Sequence, residues 1–372
     1  MKKMLIFAKS LGGGGSEVAL IQLLNKLPRD KYDVTLALLE NDSEYAYRLK
    51  VPVNIVYIQF KNYFYQKLVS TGFVGKVLKK LKINKYIHFY DWLFNKVSTQ
   101  FNDRYDIAID FYGYGYFLTA YLAMKINADR KATWLHDENI SWFKNVERYA
   151  KHFHKIFGVS QAVCDSFIKT YPQYKDKVKP FYNVIDVEEI IKKSEEECGK
   201  LFDGKYNILT VGRLHKQKGY DIAVEAARIL VKKGIDFKWY AIGSGPEEKR
   251  LRGLIKKYNL LDIFILLGRK DNPYIYMKQC NLYVQPSRHE GYGITLAEAK
   301  TLCLPIIASD IPPIHEQLKD GVNGYIVPLN AEAFTDKIYK LITEPDLAEK
   351  VVRELQHNKL DFSSELTKLE NI

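Results

Sequence analysis

Short runs of strand composition alternate with amphipathic helical patterns along almost the whole chain, and the alternation starts twice. It is the mark of parallel sheets covered by helices, because each return to a parallel neighbour needs a connection of helix length. In the first half the predicted strands are 4–8, 33–39, 53–58, 106–111, 131–136 and 155–160. Between the first two lies SEVALIQLLNKL, which places Leu20, Leu23, Leu24 and Leu27 on one helical face. A polar, glutamate-rich stretch, 186–200, predicts a helix and the connection to a second domain. There the pattern restarts, with predicted strands 207–212, 236–243, 263–268, 282–287 and 305–310. A chain of 372 residues is too long for one ordinary core and suits two. The expectation is an α/β protein of two Rossmann-like, doubly wound domains, 1–185 and 186–352. A last helical segment, 353–372, should pack back toward the first. Ligands of such sheets bind beyond the carboxyl ends of the strands, in a cleft that two facing domains would share.

Composition narrows the function. The four cysteines, Cys164, Cys198, Cys280 and Cys303, lie far apart and form no C-x-x-C pair, so neither a disulfide framework nor a zinc knuckle is expected and a reducing cytoplasm fits. The apolar run Met4–Ala8 is too short for a signal-peptide core, and no run of eighteen apolar residues occurs. The formal charge of +12 is carried by the first half: residues 1–180 hold 28 Lys/Arg against 16 Asp/Glu, and 181–372 hold 28 of each. Within that half, 61–96 mixes basic residues with Phe, Tyr and Trp. Such a segment either lies on an anionic membrane surface or forms a basic helical excursion with its aromatics turned inward. No nucleic-acid motif accompanies the charge, so nucleic acid is not an expected partner. His152 and His154 lack acidic or cysteine neighbours to complete a metal site and read as structural.

The motifs fall just after predicted strands. In LYVQPSRHEGYGITLAEAK a strand runs into a glycine loop and then a helix from Ile294 or Thr295. Gly291 and Gly293 allow close approach to a ligand, and free amides at the helix start attract phosphate. Glu290 precedes the loop and Glu298 stands about one turn into the helix, so one carboxylate can face a sugar and the other a ribose. Alone, the pair also reads as a helix cap and a surface helix residue. VGRLHKQKG changes that balance: a strand ends at Gly212, and Arg213 and Lys218 supply a fork and a point charge for two phosphates. AIGSGPEEKRL adds a turn with Gly243 and Gly245, a weak signal by itself. In the first half GGGGSE, with Gly13 and Gly14, follows the first strand and opens a helix. It lacks the acidic partner of a dinucleotide fingerprint and the Lys-Ser/Thr of a P-loop. WLHDE places His136 at a strand's end among polar neighbours. No Asp-x-Asp triplet occurs, so a metal-held diphosphate is not expected and no cofactor is called for.

Taken together, VGRLHKQKG, AIGSGPEEKRL, HEGYGITLAEA and SDIPPIHEQLKDGVNGYIV resemble family 4 glycosyltransferases of GT-B fold, in order and spacing over the whole second domain. In the first domain the resemblance rests on the glycine loop, WLHDE, VSQAV and NVID, where Val184 replaces a more usual glycine. It implies a retaining, metal-independent enzyme that takes a sugar from a nucleotide donor, usually UDP-linked. Glu290 would then contact the donor sugar, Glu298 the ribose, and Arg213 and Lys218 the diphosphate. Gly212, Gly243, Gly291, Tyr292, Gly293 and the amides of Ile294 and Thr295 would line the donor. His136 would lie beside the transferred sugar, and Gly13 or Gly14 over the diphosphate. The basic, aromatic first half points to a lipid-linked saccharide acceptor at the inner face of a membrane, as in capsule or other cell-envelope polysaccharide synthesis. A UDP-sugar epimerase of similar fold and an inactive partner subunit are the competing expectations.

Overall fold

The computed structural model describes residues 1–70 and 86–372. The chain divides into two compact units. One is Met1–Val184 together with Phe362–Ile372, the other Ile185–Asp361.

The first unit is built on a seven-stranded parallel sheet. Its strands are β1 (Lys2–Ala8), β2 (Tyr32–Leu38), β3 (Asn54–Tyr57), β4 (Tyr105–Asp110), β5 (Ala128–Leu135), β6 (Lys155–Gly158) and β7 (Val178–Pro180). They lie in the order β3-β2-β1-β4-β5-β6-β7, which reverses direction at β1/β4, the switch point of a doubly wound sheet. Helices cover both faces, so β1 is apolar without alternation: Met4, Leu5, Ile6 and Phe7 are all buried. The C-terminal segment docks on this unit. Glu365 accepts from the Tyr182 amide at 2.9 Å, Lys368 Nζ donates to the Pro180 carbonyl at 2.9 Å, and Glu370 pairs with Lys31 at 2.7 Å.

The second unit repeats the plan with six parallel strands, β8 (Asn207–Val211), β9 (Lys238–Ile242), β10 (Phe264–Gly268), β11 (Leu282–Gln285), β12 (Ile306–Ser309) and β13 (Tyr325–Val327). Their order is β10-β9-β8-β11-β12-β13, with the reversal at β8/β11. Eleven of the thirteen strands coincide with runs predicted from the sequence. The two unforeseen ones, β7 and β13, are three-residue edge strands, too short for a pattern to register.

Of the basic, aromatic segment 61–96, residues 71–85 lie outside the described residues. The helices that flank them divide the two expectations. In Tyr86–Phe94, Tyr90, Leu93 and Phe94 are buried, Phe94 against Phe117, Tyr121 and Tyr149. Tyr63 and Phe64, in Tyr63–Ser70, and Trp92 stay exposed, with Lys96 against the rings of Tyr65 and Trp92.

Candidate functional site

At the carboxyl edge of the second sheet two loops are locked together. The first follows β8 and carries Gly212, Arg213 and Lys218; the second follows β11 and carries Glu290. Gly219, in the left-handed region at φ 65°, starts the helix Tyr220–Lys232, and a Cβ there would stand 1.8 Å from the Pro286 carbonyl oxygen. Only glycine permits that approach. Arg288 completes the lock: its guanidinium takes the two carboxylate oxygens of Asp221 at 2.8 and 2.9 Å and the Lys216 carbonyl at 2.8 Å. Its amide donates to Gln217 O at 2.7 Å, and Gln217 Nε2 donates to His289 O at 3.0 Å.

The lock sets Lys218 directly against Glu290. Nζ donates to Oε1 at 2.7 Å and to Oε2 at 2.9 Å. Glu290 is 5% exposed and also accepts from Ser287 Oγ at 2.6 Å and Gln285 Nε2 at 3.2 Å. A buried carboxylate needs such partners, and four hydrogen bonds fix its orientation. Glu290 does not cap the next helix: the cap position is Gly293, which offers no side chain. Nor is Glu298 a surface residue. It is 5% exposed, and its Oε1 accepts from the Tyr274 hydroxyl at 2.9 Å.

Between the two acids, Gly291, Tyr292 and Gly293 lead into the helix Ile294–Thr301. Gln317 Nε2 donates to the Tyr292 carbonyl and pins this turn, while the Thr295 hydroxyl donates to Gln285 Oε1 at 3.2 Å. The amides of Ile294 and Thr295 have no protein acceptor among the described residues, so the positive end of the helix is open. Arg213 is exposed and makes no ion pair among the described residues. Gly243, after β9, sits over the first loop, where a Cβ would meet the Gly212 carbonyl oxygen at 1.9 Å. Its missing side chain is thus explained by packing between two turns.

In the first unit Gly13, Gly14 and His136 lie at the carboxyl edge of its sheet, after β1 and after β5, with β4 between those strands. Gly14 caps the helix Gly15–Lys26 without a side-chain bond, and the carboxylate of Glu17 folds back against it. His136 Nε2 lies 2.6 Å from the Phe111 carbonyl, which can only accept, so Nε2 carries the proton. Burial pushes the imidazole pKa down to about 4, against that bond and the charge of Asp137, leaving a neutral ring with Nδ1 as acceptor. Around it stands an aromatic loop that no sequence motif singled out. Tyr114 stacks on His136 and contacts Trp142, and Tyr112 packs against Tyr114 and Tyr116. Buried Asp110 anchors the loop by accepting from Thr119 Oγ1, Thr133 Oγ1 and the Gly113 amide.

All the site residues expected in the second domain are therefore gathered at one sheet edge, and all those of the first at the corresponding edge of its own sheet. Ser287, Gln285, Tyr274, Arg288 and Asp221 were not foreseen. The first two adjoin Glu290 in sequence and could have been sought there; Tyr274 stands 24 positions from Glu298 and carries no local signal. Among the described residues no three His, Cys, Asp or Glu side chains cluster as metal ligands would, and no helix is long and apolar enough to cross a membrane.

A doubly wound unit with this loop geometry has known counterparts. Residues 192–357 match the family of glycosyl transferases group 1. Over 358 residues the chain is 25% identical to an uncharacterized glycosyltransferase of Haemophilus influenzae, covering 93% of this chain and 92% of that one. It is 30% identical over 152 residues to the alpha-D-kanosaminyltransferase of Streptomyces kanamyceticus, covering 40% of this chain and 39% of that one. It is also 30% identical over 165 residues to the capsular polysaccharide biosynthesis glycosyltransferase CapM of Staphylococcus aureus, covering 43% and 42%. The chain thus spans about two fifths of the length of the latter two relatives. Among solved structures, HepE of Anabaena in complex with UDP and glucose superposes with a TM-score of 0.74 at 18% identity, covering 100% of this chain and 99% of that one. TarM gives 0.70 at 15%, covering 100% and 98%. These structural neighbours, GT-B glycosyltransferases, share the plan of two Rossmann-like parallel-sheet units.

Proposed function

We propose that the chain is a retaining glycosyltransferase of family 4 type. It moves a hexosyl or N-acetylhexosaminyl group from a UDP-linked sugar to a lipid-linked saccharide in cell-surface polysaccharide synthesis, without a metal ion. The observation that carries this reading is the Lys218–Glu290 pair beside unpaired Arg213 and the open amides of Ile294 and Thr295. Lys218 spends two N–H groups on Glu290 and keeps a third for a phosphate oxygen, while Arg213 offers a fork to the other phosphate. The open helix start adds amide donors. Glu290, held by four bonds of which Oε2 receives one, accepts from a hydroxyl of the donor sugar through the second lone pair of Oε2, and Glu298 accepts from ribose hydroxyls. His136 presents Nδ1 to a sugar hydroxyl.

As the bond between the sugar and the diphosphate breaks, the growing phosphate charge meets Arg213, Lys218 and the helix amides. The leaving phosphate oxygen takes the proton of the acceptor hydroxyl, which attacks from the face it vacates, so configuration is retained. Glu290 orients the donor rather than attacking it. The tyrosines at 112, 114 and 116 give the acceptor apolar faces on which pyranose C–H groups pack. Exposed Tyr63, Phe64 and Trp92, with Lys61, Lys67 and Lys96 on the same segment, suit an anionic membrane surface where a lipid-linked acceptor resides. The relative CapM and the UDP complex of HepE favour this choice of pathway and donor.

The test is nucleoside-diphosphate release from a panel of nucleotide sugars, with and without lipid-linked saccharide and with excess EDTA. Release that depends on the acceptor and resists EDTA is expected. Formation of an epimer without acceptor would transfer the reading to an epimerase.

A further inference from the structure

At the opposite edge of the first sheet, away from Gly13 and His136, a cavity of about 400 Å³ opens between the starts of β5 and β6. Its lining includes Arg130, Lys151, His152, His154, Lys155 and Lys177, with buried Phe153 and, from the C-terminal segment, Asn371 and Ile372 among them. We propose that this cavity is a phosphate-binding site, separate from the donor site, for a ligand bearing a terminal phosphate or two linked phosphates.

Among the described residues, the cationic side chains of the cavity are left without a carboxylate to neutralise them. None of the six cationic or imidazole side chains is ion-paired with a carboxylate among the described residues. Lys177 is instead fixed by neutral carbonyls: Nζ donates to Phe153 O at 2.7 Å and Lys151 O at 3.1 Å, which holds the turn before β6 in shape. His154 Nδ1 accepts from the Lys131 amide at 3.1 Å, so Nε2 carries the proton and is a donor. Burial and the neighbouring cations lower both imidazole pKa values: Lys151, Lys131 and Lys177 act on His152, and Arg130, Lys177 and Lys131 on His154. That mutual repulsion is relieved when an anion enters.

The donor count selects phosphate. A guanidinium fork, ammonium groups and two imidazoles offer more N–H groups than a single carboxylate accepts, whereas phosphate presents three or more oxygens. The volume exceeds one phosphate and leaves space for a second or for the group it esterifies. Such a ligand comes either free in solution or as a lipid headgroup. The proposal does not depend on the proposed transferase activity, since it uses no residue of that site.

The full chain carrying Arg213→Ala and Lys218→Ala, which weakens phosphate binding at the donor site, is titrated calorimetrically with pyrophosphate at low salt. A short-chain phosphatidic acid below its micelle concentration is titrated in parallel. Saturable binding is expected, weakened about tenfold or more when Arg130→Ala and Lys151→Ala are added, because charge-assisted bonds to phosphate are lost. Both replaced side chains are exposed, and unchanged thermal unfolding of the variant verifies its fold. Binding of pyrophosphate alone assigns a free phosphate ligand, and binding of phosphatidic acid alone a lipid headgroup. Absence of binding by either probe, or equal binding after the Arg130 and Lys151 substitutions, overturns the proposal. Neither result alters the reading of the donor site, which is judged by turnover.

Discussion

At the residue scale, Arg213 and Lys218 share a proposed task but differ in what the fold asks of them. Lys218 neutralises a carboxylate that is 5% exposed, so Lys218→Ala strands Glu290 and should cost about 3 kcal/mol of stability as well as turnover. Arg213 has no partner to strand among the described residues. Arg213→Ala should leave thermal unfolding unchanged and lower kcat by about a hundredfold, as loss of one preorganised charge donor does. Parallel denaturation and turnover measurements separate the two cases, and wild-type turnover in Arg213→Ala would remove it from the site. His136 makes a prediction in pH. The folded imidazole takes its proton near 4, whereas the unfolded one does so near 6.5. Between those values the unfolded chain binds more protons, so stability is complete above 6.5 and declines as pH falls toward 4. Urea denaturation at pH 7 and pH 5 should show that loss, and His136→Gln should diminish it, leaving the smaller part due to His152 and His154. Glu290 and Glu298 were legible in the sequence because a strand, a glycine loop and a helix start define their spacing. Ser287, Gln285 and Tyr274 were not, because what qualifies them is a contact made by packing.

At the scale of elements, the active geometry is the interlocking of turns that follow parallel strands. Gly219 shows how little freedom that leaves. Alanine there would need a left-handed backbone and would drive a Cβ into the Pro286 carbonyl, so the loop must separate from the end of β11. Gly219→Ala should destabilise the second unit by about 2 kcal/mol and raise KM for the donor, since Lys218 is the preceding residue. An unchanged KM in a folded variant would mean that Lys218 is positioned by something other than this lock. The strand pattern was readable in every strand of four or more residues. It failed for β7 and β13, whose three residues are defined by pairing with β6 and β12 rather than by composition. Similarly, Gly243 was legible as a glycine turn, but not as the roof of another turn.

At the scale of the molecule, two doubly wound units of opposite character share one chain. The second is nearly charge-balanced and contains the stretch that matches the group 1 family; the first holds nearly all of the net charge. Exposed Tyr63, Phe64 and Trp92 give that charge an apolar companion, as surface attachment requires. Vesicles with anionic lipid should therefore bind the protein at low salt, and Phe64→Ser with Trp92→Ser should weaken binding severalfold. Equal sedimentation of that variant would leave attachment to charge alone. The two-unit plan was legible from alternation that starts twice, whereas of the expected segment 353–372 only Phe362–Ile372 returns to the first unit. The basic cavity was not legible. Its residues come from the start of β5, the turn before β6, the residue before β7 and the end of the C-terminal segment, which only the folded unit brings together.

The central claim is that the second unit holds a nucleotide sugar for transfer with retained configuration. Proton NMR of the reaction, followed from donor through product with a lipid-linked saccharide present, tests it most directly. One new glycosidic proton should appear per nucleoside diphosphate released, with the anomeric coupling of the donor. Inverted coupling, free sugar as the main product, or an epimerised donor formed without acceptor would contradict it.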